Sequence, residues 1–254
     1  MSSVNQVVDT LMYRNELNPK FWINSENPKE SVLKDNVRAQ LMKISDEFIE
    51  YLDLDLFVSD ITMTGSLANL NWSEFSDVDL HFMLDFNQLK DNEELYKEYF
   101  NLKKTLFNST HDIKIYGHDV EVYIQDILEL HQSSGVYSVL HDRWIQVPKK
   151  ENVEINKDVL KQKIKAVVSQ LEDVFLNLDD EEPKKAIKIL DNFKDKLKKY
   201  RSAGLTKEGE KSYENLVFKY LRRAGYIQKI FDTKNKIIDQ TLSLESYSKK
   251  KDNL

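Results

Sequence analysis

Apolar residues change their spacing twice along this chain. Over residues 28-52 they fall at Val32, Leu33, Val37, Leu41, Ile44, Phe48 and Leu52. This three-to-four spacing predicts a helix, with Pro28 near its start, where a missing N–H costs little. FVSDITMTG then reads as a strand ending at Gly65, and SLANL as a short helix after it. In SDVDLHFMLDF the period drops to two. Val78, Leu80, Phe82 and Leu84 share one face of a predicted strand, while Asp77, Asp79, His81, Met83 and Asp85 share the other.

Residues 88-107 return to helical spacing. IKIYGHDVEVYIQD follows as two strand-like runs about Gly117, the pattern of a hairpin. In its second arm Val120, Val122 and Ile124 alternate with Asp119, Glu121, Tyr123 and Gln125. Beyond Pro148 only helical periods remain, over about 156-178, 183-202, 209-224 and 226-244. Ala186, Ile189, Leu190, Phe193, Leu197 and Tyr200 form one stripe there; Leu216, Val217, Tyr220 and Leu221 form another. Pro183 suits a first helical turn, Gly204 and Gly225 suit C-terminal stops, and KKKDNL reads as a frayed tail. The expected architecture is α+β: a mixed sheet with flanking helices over residues 1-148, and an all-helical region over 149-254.

Charge sharpens this division. The whole chain carries a net charge of -6, but residues 1-148 hold 12 Lys and Arg against 25 Asp and Glu, and residues 149-254 hold 25 against 18. An acidic first region can hold cations and a basic second one can face phosphates. The cysteine count is zero, which excludes disulfides and thiolate metal sites and fits a reducing compartment. No apolar run approaches the ~18–20 residues of a membrane span, and the N-terminal stretch lacks the apolar centre of a secretory signal. A cytoplasmic protein without membrane contact is the expectation.

The chemistry concentrates in TGSLANLNWSEFSDVDLH, residues 64-81. Aspartates flanking one residue on a strand point the same way, so Asp77 and Asp79 can share a divalent cation, and a carboxylate from a neighbouring strand would complete a two-ion site. Mg²⁺ (or Mn²⁺) bound by one or two carboxylates, water and substrate phosphates suits nucleotide chemistry. Gly65 lets a phosphate approach the backbone, and the Ser66 hydroxyl can donate to it.

The order Gly65-Ser66, ten residues, Asp77-Val78-Asp79-Leu80 and then Val120-Glu121-Val122 resembles the polymerase-beta-type nucleotidyltransferase superfamily, over about residues 58-125. The resemblance implies that Asp77 and Asp79 ligate both ions, that Glu121 ligates the catalytic ion beside the acceptor hydroxyl, and that Ser66 touches the triphosphate of an NTP, ATP among them. Asp119 shares the strand phase of Glu121 and is the alternative third carboxylate, though it follows His118 and lacks the two-sided apolar frame. The superfamily commonly takes a triphosphate-holding base from a helical region. Lys194, Lys198 and Arg201 lie at helical spacing, and Arg222 and Arg223 end another helix. SSGVYSVLHDRWI and RSAGLTKEGEKSYENLVFKYLRRAGY also resemble uncharacterised nucleotidyltransferase-like proteins of tailed bacteriophages, and no residue role follows from that.

The resulting expectation is transfer of a nucleoside monophosphate from an NTP to an acceptor with release of pyrophosphate, in a cleft between sheet and helical region. The acceptor stays open: RNA or a protein at the basic helices, or a small molecule, including cyclic-nucleotide synthesis. The alternative is a catalytically silent nucleotide-binding or interaction protein. His81 is a candidate to support the site, and Tyr137 one of many aromatics that could stack on a base. His111, His118, His131 and His141 lack zinc-motif spacing and read as structural.

Overall fold

The computed structural model describes residues 4–54, 57–89, 93–131, 133–149, 154–178 and 181–244. The tail KKKDNL lies outside them. The chain divides into two compact units, one of Met12–Asn152 and one of Met1–Leu11 with Val153–Leu254. Helix α1 (Val4–Asp9) belongs to the second.

The unit of Met12–Asn152 is built on a six-stranded sheet. Its strands are β3 (Val58–Thr64), β4 (Val78–Leu84), β5 (Lys114–Ile115), β6 (His118–Asp126), β7 (Val136–Ser138) and β8 (Arg143–Gln146), in the spatial order β5-β6-β4-β3-β7-β8. Only β4 and β6 run parallel. A separate two-stranded hairpin pairs β1 (Trp22–Ile23) with β2 (Val32–Leu33). Helices α2 (Asp35–Leu52) and α3 (Glu93–Thr110) complete the unit.

Period two in the sequence becomes two unlike sheet faces. Val78, Leu80, Phe82 and Leu84 are all buried, and Phe48 of α2 meets Phe82 at 4.8 Å and Phe107 of α3 at 5.0 Å between ring centroids. The helices thus seal the apolar face, and burying one such ring stabilises the unit by about 2–3 kcal/mol. Asn108 of α3 donates to the Val122 carbonyl and accepts from the Val122 N–H, both at 3.0 Å. A side-chain amide thereby supplies β6 with the two bonds of a neighbouring strand where β5 is too short to do so.

The helix expected from Pro28 begins only at Asp35. Leu33 points inward with 1% exposure and Val32 outward with 38%, a strand alternation, while the Ser31 hydroxyl ties the preceding turn through the carbonyls of Asn24 and Asn27. Val32 and Leu33 satisfy either period when taken alone, and the turn decides for the strand. β1 is anchored by Trp22, whose indole stacks on Trp144 at 4.7 Å and donates to the Leu67 carbonyl at 2.9 Å. Arg38 donates to the carbonyls of Val139 and Leu140, tying α2 to the β7–β8 turn. The hairpin about Gly117 forms as expected, with Tyr116 and Gly117 at φ 51° and 87° and Ile115 opposite His118.

The second unit adds α4 (Lys157–Asn177), α5 (Pro183–Glu208), α6 (Tyr213–Arg223) and α7 (Tyr226–Leu242) to α1. Asn156 caps α4 by accepting from the N–H groups of Asp158 and Val159. Ala186, Leu190, Phe193 and Leu197 of α5 and Leu216, Val217, Tyr220 and Leu221 of α6 are buried. Gly204 does not stop α5, which continues to Glu208 and ends at Gly209 with φ 69°. A Cβ at Gly204 would stand 2.6 Å from Glu214 Cβ, so this glycine admits the 212–214 segment to the helix surface. Gly225, at φ 80°, does separate α6 from α7. Among the described residues no helix is long and apolar enough to cross a membrane.

Candidate active site

Strand pairing brings the carboxylates of the sheet unit onto one face. Thr64 stands opposite Asp79 across β3 and β4, and Asp79 stands beside Glu121 across β4 and β6. The next rung holds Thr62, His81 and Tyr123, and the one after it Met83 and Gln125. Paired residues project to the same side of a sheet, so this is the polar counterpart of the sealed apolar face. Asp77 immediately precedes β4 and, like Asp79, Glu121 and Tyr123, is half-buried.

Gly65 is fitted to this arrangement. It has φ 71° and ψ −161°, a conformation suited to glycine, and a Cβ there would lie 1.7 Å from Asp79 Oδ2 and 2.8 Å from Asp79 Cγ. The Asp79 carboxylate therefore packs directly on the backbone of the Gly-Ser turn. Ser66 opens a short 3₁₀ turn, Ser66–Ala68, and its hydroxyl donates to Ser76 Oγ at 2.7 Å. Ser76 Oγ in turn accepts from the Ser73 N–H at 2.9 Å. The loop that delivers Asp77 is thus tied to the turn that carries Ser66.

Buried His118 closes the same loop from β6. Its Nδ1 lies 2.6 Å from the Ser76 carbonyl and its Nε2 3.5 Å from Asn18 Nδ2, contacts satisfied together when Nδ1 carries the proton. Asp119, the alternative carboxylate, is exposed and forms an ion pair with Lys114 at 2.5 Å, opposite it in the β5–β6 register.

Tyr123 and Gln125 enter the site through the strand alternation alone, since they share the face of Glu121. The Tyr123 hydroxyl donates to Glu121 Oε2. Burial, then that bond and the nearby carboxylates of Asp79, Glu121 and Asp77, raise the phenol well above its ordinary pKa. His81 stacks on Tyr123 at 4.9 Å, and its Nδ1 lies 2.9 Å from Gln125 Oε1. Burial pulls the His81 pKa down to about 4, opposed by the Gln125 bond and assisted by the positive charges of His131 and Lys104. His81 is neutral at pH 7.

Asp77, Asp79 and Glu121 form an all-oxygen donor set of the chemistry Mg²⁺ requires, and two of them are register neighbours. They fit a divalent ion by residue type and strand register. Yet among the described residues no three acidic, histidine or cysteine side chains are gathered closely enough to enclose one.

In the helical unit Lys194 donates to Asp191 at 3.1 Å, and Asp191 also accepts from Lys234 at 2.8 Å. Those two lysines, Lys234 first, hold the Asp191 carboxyl below its usual range. Lys198 is exposed. Arg201 donates to Asn215 Oδ1 at 3.1 Å and lies 4.6 Å over the Phe218 ring. Partly buried Lys219 of α6 was not legible as special in FKYLRRAGY. Burial lowers its pKa, Glu210 opposes the shift, and Arg223, Arg222 and Arg201 add to it.

No protein-family model matches the chain, and no curated protein matches it in sequence. Among solved structures, a STING-associated CdnE c-di-GMP synthase from Capnocytophaga granulosa is similar at 12% identity, over 94% of this chain and 98% of that one, with a TM-score of 0.22. A superposition that loose assigns neither fold nor function. The geometry of the sheet face has to carry both.

Proposed function

We propose that the protein is a metal-dependent nucleotidyltransferase, moving a nucleoside monophosphate from an NTP to an acceptor and releasing pyrophosphate. The observation that supports this best is the rung Thr64–Asp79–Glu121 with the Asp79 carboxylate packed on Gly65. Gly65 lies against Asp79, Ser66 bonds Ser76 beside Asp77 in sequence, and Glu121 is the parallel register neighbour of Asp79.

In this reading Asp77, Asp79 and Glu121 hold Mg²⁺ or Mn²⁺, which when bound activates the attacking oxygen and neutralises charge on the leaving pyrophosphate. Ser66 donates its hydroxyl to the triphosphate, exchanging its bond to Ser76. Glu121 stands on the side of β6 and faces the acceptor oxygen. The exposed lysines of the helical unit, Lys198 among them, supply positive charge for phosphate groups of the donor or of an RNA or protein acceptor.

The test is incubation with each labelled NTP, Mg²⁺ or Mn²⁺, and RNA, protein or small-molecule fractions of a lysate, beside an Asp77→Ala/Asp79→Ala variant. Transfer by the parent that disappears in the variant supports the mechanism; label transfer surviving in the variant sinks it. A catalytically silent nucleotide-binding protein is the second reading, favoured by one observation: among the described residues no group of three acidic, histidine or cysteine side chains is placed to hold a metal ion. It is expected to show thermal stabilisation by NTP with no pyrophosphate release.

A further inference from the structure

We propose that the cleft between α3 and the far end of β6 is a small-molecule site for an anionic group carried on a flat apolar ring, an aryl phosphate or an aryl carboxylate. It lies apart from the carboxylate face and does not depend on the transfer reading.

The cleft follows from how α3 meets the sheet. β5 is short and pairs with β6 at His118 and Asp119, while Asn108 of α3 stands in as a neighbour at Val122. Beyond Val122 a cleft of about 240 Å³ opens. One face of α3 lines it, with Lys97, Phe100, Asn101 and Lys104 at positions i, i+3, i+4 and i+7. Phe86 after β4, Ile124 on β6 and Glu129 after β6 complete the lining. Ile124 shares the strand phase of buried Val120 and Val122, whereas Glu121 projects to the other side. The cleft and the carboxylates are therefore on opposite faces of the sheet.

Its chemistry selects a ring and a charge together. Phe86 and Phe100 are buried, with 5.7 Å between ring centroids, and give the cleft an aromatic floor. Such rings accept another flat apolar group in edge-on or offset contact. Two ammonium groups stand beside this floor: Lys97 Nζ is 5.9 Å from the Phe86 centroid, and Lys104 Nζ is 4.9 Å from that of Tyr123. A cation–ring contact near 6 Å is weak and yields to an anion, which an ammonium binds by charge-assisted hydrogen bonds. Glu129 is the one carboxylate in the lining, so the two lysines leave it net positive. The Asn101 amide adds a further donor. Small-molecule sites ordinarily span roughly 300–1,000 Å³, so this cleft suits one ring with one anionic group rather than a whole nucleotide.

The test is titration of the full chain with phenyl phosphate and, separately, benzoate, followed by calorimetry and by amide NMR shifts. Saturable binding of at least one is expected, with the largest shifts at Phe100, Asn101, Lys104 and Ile124. The tighter of the two tells phosphate from carboxylate. Inorganic phosphate, which lacks the ring, and phenol, which lacks the charge, are each expected to bind at least about 10-fold more weakly. Lys97→Ala/Lys104→Ala, which removes an exposed and a half-buried side chain, is expected to weaken binding at least about 10-fold. Asp79→Asn changes only the carboxylate face and is expected to bind the probe as the parent does. No saturable binding of either probe overturns the site, as does affinity matched by inorganic phosphate, by phenol or by the lysine variant. Shifts centred on Asp79 and Glu121 and lost in Asp79→Asn would move the probe to the carboxylate face and overturn it as well. The shift map of the parent decides the matter even if the lysine variant fails to fold.

Discussion

The sheet unit and the helical unit spend their charged residues differently. In the helical unit cations meet anions locally: Lys194 and Lys234 share Asp191, Lys163 meets Glu214 at 3.0 Å, and Lys157 meets Asp9 at 2.6 Å. These pairs are all at least partly open to solvent, which screens them and keeps their contribution to stability small. In the sheet unit, strand register instead sets acid beside acid, Asp79 next to Glu121 with Asp77 just before β4. Like charges side by side on a sheet cost free energy. The lesson is that net charge misdirects when read as an average: the basic half pairs much of its charge along helix faces, and the acidic half sets part of its own on adjacent strands.

That contrast breaks most sharply under substitution of charge. Asp77→Ala/Asp79→Ala is expected to reduce nucleotide transfer by about 1000-fold or more, the scale of removing an electrostatic anchor from a transition state. Lys194→Ala, which removes a partner already shared with Lys234, is expected to change both transfer and stability by less than about 3-fold. Equal losses in the two variants, read by initial rates on labelled NTP, would erase the distinction.

Gly65, half-buried, and Gly204, buried, sharpen it next. Gly65→Ala forces a residue with a Cβ into φ 71°, ψ −161° and drives that Cβ into Asp79 Oδ2. Strain and clash together are expected to cost about 2–4 kcal/mol in urea unfolding. Part of that cost is avoidable by turning the Asp79 carboxylate away, which removes activity in the molecules that do fold. Gly204→Ala, within α5, crowds Glu214 Cβ and Ser212 at the start of α6 and is expected to cost about 1–3 kcal/mol while leaving the rate per folded molecule unchanged.

A third difference is sensitivity to pH. Burial holds His81 neutral down to about 4, against an ordinary value near 6.5. As pH falls, the unfolded chain takes up this proton first. The contribution of His81 is therefore complete above about pH 6.5 and is lost between there and about pH 4, to an extent of up to about 3 kcal/mol. His81→Asn is expected to remove that part of the slope, seen as the difference between parent and variant in urea midpoints at pH 7, 5.5 and 4.5. Parallel midpoints for the two proteins across that range would show that His81 is not held neutral by the fold.

Much of this architecture was legible because period two and period three-point-six are written into the chain wherever an element is long. β4 and β6 could be read to their faces, and the alternation 119-121-123-125 already placed Tyr123 beside Glu121. Short elements carried no such signal. Two residues, Val32 and Leu33, satisfy a strand and a helix equally, and only the hydrogen bonds of Ser31 separate the two. Gly204 could not be told from a helix stop, since its reason is a neighbour on the next segment rather than its own backbone. The bond from Tyr123 to Glu121 was illegible for a similar cause: spacing shows that the two share a face, not that one bonds the other.

The smallest effect tests the helical unit itself. Lys198 is exposed on α5, one turn beyond Lys194, which is partly buried and shares Asp191 with Lys234. If it holds a phosphate of the donor, Lys198→Ala removes a contact made equally before and during the reaction. The expected result is a KM for NTP raised about 3- to 10-fold with kcat unchanged and no loss of stability beyond ~0.5 kcal/mol. A fall in kcat would place Lys198 at the transition state instead. No change in either would return α5 to what its pairing already suggests for Lys194, a solvated face, and would leave partly buried Lys219 of α6 as the next lysine of this unit to substitute.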